Sequence, residues 1–253
     1  MNDPSAFTAG RVPSADIAVP EHQRVVAFYG KVLATGERPL WRDDLINSAG
    51  QPIIGIGART EEYSALPLQW MPHIQVADVA TSVERALEAG GIELMHGKDA
   101  GGKSLWAALR DPGGAAFGII PADASHEAGA DTGRIALCEI ATRDVRLLAE
   151  FYRTVIGWSI RDSADGSLLE CRSASGEGSP IARIRSAEGA WGAVPAVWLL
   201  HLPVGDLEAS KRAARDADGA VYLDFESSGG VPGGTVLQDP VGASVVICSV
   251  TGH

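Results

Sequence analysis

Two histidines stand at equivalent places in a repeated segment. Trp70-Met-Pro-His73-Ile-Gln-Val76-Ala-Asp78 returns 128 positions later as Trp198-Leu-Leu-His201-Leu-Pro-Val204-Gly-Asp206. Imidazole is the side chain whose ordinary pKa lies nearest neutrality, and a neighbouring carboxylate raises that value, so a His–carboxylate pair can act as a general base. Asp16 and Glu139 lie on the strand that opens each half of the chain. The candidate catalytic pairs are therefore Asp16 with His73 and Glu139 with His201. The competing reading makes each pair a satisfied hydrogen bond that closes a seam between modules.

The elements that must position these groups are themselves duplicated. Pro52-Ile53 recurs as Pro180-Ile181, and Asp111-Pro112-Gly113-Gly114 as Asp239-Pro240-Val241-Gly242, both at the shift of 128. Phe28-Tyr29 recurs as Phe151-Tyr152 at a shift of 123, which a loop of different length explains. A repeat this long is a duplicated globular unit; solenoid periods run at roughly 20–50 residues. The division reads as a loose leader at 1–13, a first domain at 14–121, a linker of small polar residues at 122–133, and a second domain at 134–253.

Within each half the hydrophobic period changes from strand to helix and back. Val25, Phe28, Tyr29, Val32 and Leu33 mark one face of a helix over about Glu21–Ala34. Asp78, Asp144 and Asp206 stand where helix N-caps are needed, and Gly90, Gly157 and Gly219 where helices stop. Strands are expected at Asp16–Val19, Pro39–Leu45, Pro52–Ala58, weakly at Tyr63–Leu68, and at Trp70–Val76, Ile92–His96, Leu105–Arg110 and Ala115–Ile120. The second half repeats the pattern, with strands at Ile135–Thr142, Leu168–Arg172, Pro180–Arg185, Val197–Val204, Val221–Phe225, Thr235–Gln238 and Ala243–Ser249. The unit is βαβββ, four times over, and the fold class is α+β.

Composition narrows the partners. A net charge of −11 argues against a nucleic-acid footprint or an anionic membrane surface. Cys138, Cys171 and Cys248 have neither metal-ligand spacing nor an even disulfide count, and the two that sit within apolar strand-like runs read as buried reduced thiols. No signal peptide or membrane-length apolar run stands out, so a cytoplasmic location is the default expectation. A monomer and a homodimer both fit.

A paired βαβββ module with an Asp-Pro-x-Gly hairpin resembles the vicinal oxygen chelate superfamily. That group includes glyoxalase I, extradiol dioxygenases, fosfomycin-resistance enzymes and bleomycin-resistance proteins. Cys138-Glu139-Ile140-Ala141-Thr142-Arg143-Asp144, then Phe151-Tyr152, then Ile156-Gly157-Trp158 is similar to the signature of a tandem, glyoxalase-like actinobacterial branch. The first half matches more loosely, with Glu21 standing for Asp144 and Asp16 for Glu139. The resemblance implies two tandem domains, each a pair of modules whose sheet curls into a cup with helices on the convex face.

Metal-using members of the superfamily place ligands on the first and last strands of each module. Carried across by spacing, those positions fall on Ser14, Met71, Gly118, Leu137, Leu199 and Val246, none of which is His, Asp or Glu. A divalent ion needs several N or O donors at one point, so no metal and no other cofactor is expected. Strand alternation puts Met71, His73 and Gln75 on the cup side, with Leu199, His201 and Pro203 opposite them in the repeat. Asp16 and Glu139 lie two residues beyond the ligand positions. The candidate ligand-binding residues are Met71, Gln75, Trp106, Leu137, Leu199 and Val246. Trp41 and Trp191 are read as lining a cup mouth, and Arg183 with Arg185 as either a solvated edge or a guanidinium face for an anionic ligand. The expected function is metal-independent binding of a small organic molecule. The alternative is a glyoxalase-like lyase that uses a His–carboxylate pair or a shifted metal site.

Overall fold

The computed structural model describes residues 9–122, 131–163, 168–176, 178–227 and 232–250. Among them are fourteen strands and four α-helices, with two short 3-10 turns. The strands form two mixed sheets, of six and eight strands.

The first module contains β1 (Ser14–Val19), α1 (His22–Leu33) and β2 (Ile54–Ala58), with β1 and β2 parallel. The second contains β3 (Met71–Val76), α2 (Val79–Glu88), β4 (Ile92–Lys98), β5 (Ser104–Arg110) and β6 (Ala116–Pro121), ordered β3-β6-β5-β4. The third contains β7 (Leu137–Thr142), α3 (Val145–Ile156), β8 (Ser159–Asp162), β9 (Leu168–Arg172) and β10 (Ala182–Ser186), ordered β7-β10-β9-β8. The fourth contains β11 (Leu199–Val204), α4 (Leu207–Asp216), β12 (Ala220–Phe225), β13 (Gly234–Gln238) and β14 (Ser244–Ser249), ordered β11-β14-β13-β12.

The first module departs from the expected βαβββ. The stretch expected as a strand at Pro39–Leu45 makes only an isolated bridge between Trp41 and Asn47, and Glu61–Tyr63 is a 3-10 turn that runs into the start of the stretch expected as a weak strand, which forms none. Asn47 explains part of this. Its side-chain oxygen accepts from the backbone N–H of Ala49 and Gln51, which curls the chain back on itself. In the third module the short strand β8 went unforeseen, because Ser159-Ile-Arg-Asp162 is too short and polar to show a period.

Helix boundaries follow the caps. The carboxylates of Asp78, Asp144 and Asp206 accept from Thr81, Leu147 and Ala209 N–H at 2.7, 2.9 and 2.8 Å. Glu21, the stand-in in the first module, makes no such bond. Gly157 ends α3 in the left-handed region at φ 84°, which its missing Cβ permits.

The chain divides into two compact units. One is Met1–Pro13, Met71–His126 and Leu137–Trp198; the other is Ser14–Trp70, Glu127–Ala136 and Leu199–His253. Each unit therefore takes modules from both halves of the repeat. In the first, α2 packs on α3, and in the second, α1 packs on α4. Both are built around the same aromatic arrangement. Trp198 Nε1 donates to Tyr152 Oη at 2.7 Å, and that hydroxyl donates to Asp111. In the other unit Trp70 Nε1 donates to Tyr29 Oη at 2.9 Å, and that hydroxyl donates to Asp239. All four rings are fully buried, as the helix-layer reading of Trp70 and Trp198 required. Gly10 and Arg11, expected within a loose leader, are tied to β3: Gly10 N–H donates to Gln75 O at 2.7 Å, and Gln75 N–H to Arg11 O at 2.9 Å. Trp158 Nε1 adds a bond to Gly10 O at 2.8 Å. No helix among the described residues is long and apolar enough to cross a membrane.

Candidate functional site

The four strands β7–β10 have two chemically different faces. Register places Cys138, Ile140, Leu169, Cys171, Ala182 and Ile184 on one face. This is the helix side: Asp162, opposite Leu169, pairs with Arg146 of α3. The other face is turned away from α3. Its central row runs Arg161, Glu170, Arg183, Glu139 across four neighbouring strands. Arg172 and Arg185 flank it. Four guanidinium groups thus share a face with two carboxylates.

The contacts are close. Arg185 Nε donates to Glu139 Oε1 at 2.6 Å, and its guanidinium carbon lies 3.9 Å from the centroid of the Trp191 ring. Arg172 Nη2 donates to one oxygen of Glu170 at 2.7 Å and Arg183 Nη2 to the other at 3.4 Å. Glu139 and Arg183 are 1% and 3% exposed, so Arg183 is no solvated edge. Desolvated charges of this kind persist only when paired and hydrogen-bonded. The side chains of Glu170, Arg185 and Arg172 keep 13%, 19% and 24% of their surface, which makes their end of the row the accessible one. Trp191, on the 3-10 turn Gly189–Ala193, is half-buried against it.

The residues singled out by sequence distribute as follows. Glu139 belongs to one compact unit and His201 to the other; His73 and Asp16 are divided in the same way. His201, on β11, is buried beside Phe225, with ring centroids 5.8 Å apart. His73 is half-buried on β3 and lies over Gly118, where a Cβ would sit 2.8 Å from its ring. Asp16 is half-buried on β1. Met71, Leu137, Leu199, Val246 and Gln75 are buried, whereas Trp106 is 40% exposed and covers Gly97. Trp41 does not line a mouth; it is buried and donates to Pro203 O at 2.8 Å.

Sequence reasoning missed one polar chain. His96 Nδ1 lies 3.1 Å from Glu93 Oε2 and His96 Nε2 2.9 Å from Ser104 Oγ, an order that can relay a proton. The only signal was the i, i+3 spacing of Glu93 and His96; Ser104 arrives through a register shift at Gly97–Lys98. In the adjoining turn the N–H groups of Gly101 and Lys103 are both taken by Asp99 Oδ1, so they do not serve as oxyanion donors. A shallow groove of about 450 Å³ also runs along α1, lined by His22, Val26, Gly30 and Lys31 among others, with mostly aliphatic walls.

Among the described residues no three His, Cys, Asp or Glu side chains are placed to hold a metal ion. Ser14, Met71, Gly118, Leu137, Leu199 and Val246, the positions to which spacing carries the superfamily's ligands, supply no imidazole, carboxylate or thiolate. This donor set does not fit a divalent cation.

Comparison with known proteins is consistent across sequence and structure. A family model described as "Glyoxalase-like domain" matches residues 14–120 and 137–248. "Putative glyoxylase CFP32" of Mycobacterium bovis is 28% identical over 188 residues, covering 70% of this chain and 68% of the relative. The Mn(II)-bound glyoxalase from Novosphingobium aromaticivorans superposes with a TM-score of 0.59 at 12% identity, over 97% of this chain and 83% of that one. An E323L mutant of homoprotocatechuate 2,3-dioxygenase from Brevibacterium fuscum gives 0.58 at 11% identity, over 95% and 71%. A catechol 2,3-dioxygenase gives 0.54 at 12% identity, over 97% and 96%. Identities this low speak for the fold alone. With a family model matched over both repeats, the chain belongs to the glyoxalase-like domain family of the vicinal oxygen chelate superfamily, in tandem.

Proposed function

We propose that this protein binds a small organic molecule on the face of β7–β10 turned away from α3, without the metal used by other members of its superfamily. The observation that carries the reading is the Glu139–Arg185–Trp191 contact. It sets a charged, partly open group beside an aromatic ring, and among the described residues no three His, Cys, Asp or Glu side chains cluster to hold a metal ion. Ligand sites are commonly apolar hollows with a few converging polar groups, and Leu137, Ala141 and Leu168 supply the apolar part of this face. Glu139 acts in this reading through Arg185, whose plane it fixes.

The reading is tested on protein purified without added metal, by elemental analysis together with a thermal-shift screen of natural products and thiol adducts. Less than about 0.1 equivalent of Zn, Fe, Mn or Ni, with at least one compound raising Tm in a dose-dependent way, is the expected result. A stoichiometric metal, or no shift across the whole screen, overturns it.

A further inference from the structure

We infer that the ligand of this face is a planar organic oxyanion, held by the Arg185 guanidinium at its charged end and by Trp191 at its ring. The inference rests on the small-molecule reading above and adds the chemical class of the ligand.

Three observations lead to it. The first is charge. Within a chain of net charge −11, the face of β7–β10 turned away from α3 carries Arg161, Arg172, Arg183 and Arg185 against Glu139 and Glu170. A local cationic surplus on an acidic protein attracts anions and repels cations at close range. The second is the hydrogen-bond inventory of Arg185. Nε and Nη2 are both directed to Glu139 Oε1 at 2.6 Å, which leaves Nη1 outside that pair on a side chain 19% exposed. A guanidinium has five donors in a fixed plane, so anchoring one edge orients the other for an incoming carboxylate or phosphate. The third is Trp191. It covers one face of that guanidinium at 3.9 Å, which orders the cation and extends a flat aromatic surface beside it. An anion attached to a planar body meets both features at once.

Glu139 stays a positioning residue in this arrangement. Its carboxylate is 1% exposed and already occupied by Arg185, so it sets the guanidinium's orientation and does not itself receive the ligand.

The test is isothermal titration of the 253-residue chain with four probes: 1-naphthoate, 1-naphthyl phosphate, 1-naphthamide and acetate. At least one of the two aromatic anions is expected to bind tenfold or more tighter than the amide, and tenfold or more tighter than acetate. Arg185→Met should weaken that anion tenfold or more and leave the amide unchanged. Arg146→Gln, whose side chain is 75% exposed on the helix side, should alter neither. Trp191→Leu should weaken the aromatic anions more than acetate. If Arg185→Met fails to fold, Arg185→Lys retains the charge without the planar fork and is expected to lose most of the preference. Equal affinity for acid and amide, an Arg185 variant that binds the anion normally, or no binding of either aromatic anion overturns the inference. Those results leave the wider reading standing if the thermal-shift screen still yields a neutral ligand, and a blank screen removes both.

Discussion

Tyr152 donates its hydroxyl hydrogen to Asp111 Oδ2 at 2.7 Å, although the two residues come from opposite halves of the repeat. The copy of this bond runs the other way along the chain, from Tyr29 in the first half to Asp239 in the second. Each Asp also holds its hairpin turn: Asp111 accepts from Ala115 N–H at 3.0 Å and Asp239 from Ala243 N–H at 2.9 Å. A buried carboxylate, a phenol and an indole thus form one satisfied chain in each compact unit.

Removing the hydroxyl should cost stability. Tyr152→Phe leaves Asp111 and the Trp198 indole N–H each short of a partner in a buried site, and a loss of about 1–3 kcal/mol is expected. Tyr29→Phe should cost a similar amount through Asp239 and Trp70. Urea unfolding of both variants checks this, and a change below about 0.5 kcal/mol would contradict it.

The same carboxylates carry a pH signature. Burial pushes the pKa values of Asp111 and Asp239 above the ordinary 3.8, against the hydrogen bonds that lower them. The folded state therefore holds these protons more tightly than the unfolded chain. Their contribution is fully present below the unfolded value and is lost as pH rises through the raised folded values. Asp78 and Asp224 have the opposite sign. Backbone and hydroxyl donors lower their pKa, so their contribution is present above the unfolded value and is lost as pH falls through the lowered one. Carbon-detected NMR titration should find the Asp111 and Asp239 carboxyls titrating above 3.8 and the other two below it.

Disrupting the ion pair beneath the proposed site should weaken the fold as well. Glu139→Leu removes the partner of Arg185 from a buried position, at a cost of about 1–3 kcal/mol, because the guanidinium keeps partial access to water. Glu139→Gln retains an acceptor and should cost less. Denaturant titration of the two variants gives the order.

The backbones of Gly36 and Gly205 meet. A Cβ on Gly205 would lie 2.5 Å from Thr35 O, and one on Gly36 would lie 2.7 Å from the Gly205 carbonyl carbon. Both obstacles are main chain and cannot swing aside. Gly36 also has φ 88°. Gly205→Ala is expected to lower stability by about 2 kcal/mol or more, read as a fall in the urea midpoint. Gly50→Ala, which meets open space at φ 83°, carries only the backbone strain and should cost less.

The thiols should be inert. Cys138, Cys171 and Cys248 are free and buried, and burial raises all three pKa values, Cys248 to about 12. Ellman's reagent at pH 8 is expected to count no fast-reacting thiol in the folded protein and three after denaturation.

Much of this protein was legible in the chain itself. The 128-residue shift exposed the duplication, and capping aspartates with apolar helix stripes bounded α2, α3 and α4 to within one or two residues. The Asp-Pro turns and the helix-side parity of Trp70 and Trp198 were equally visible, because each depends on neighbours a few residues apart. What the sequence could not express was partner choice over long separations. Tyr29 finds Asp239 at 210 positions, Trp41 finds Pro203 at 162, and Trp158 finds Gly10 at 148. Arg183 and Arg185 looked more like a solvated edge than a site. Only the pairing of β10 between β7 and β9 sets them against Glu139 and Glu170, since register across strands is decided by packing both faces at once rather than by either strand's own residues.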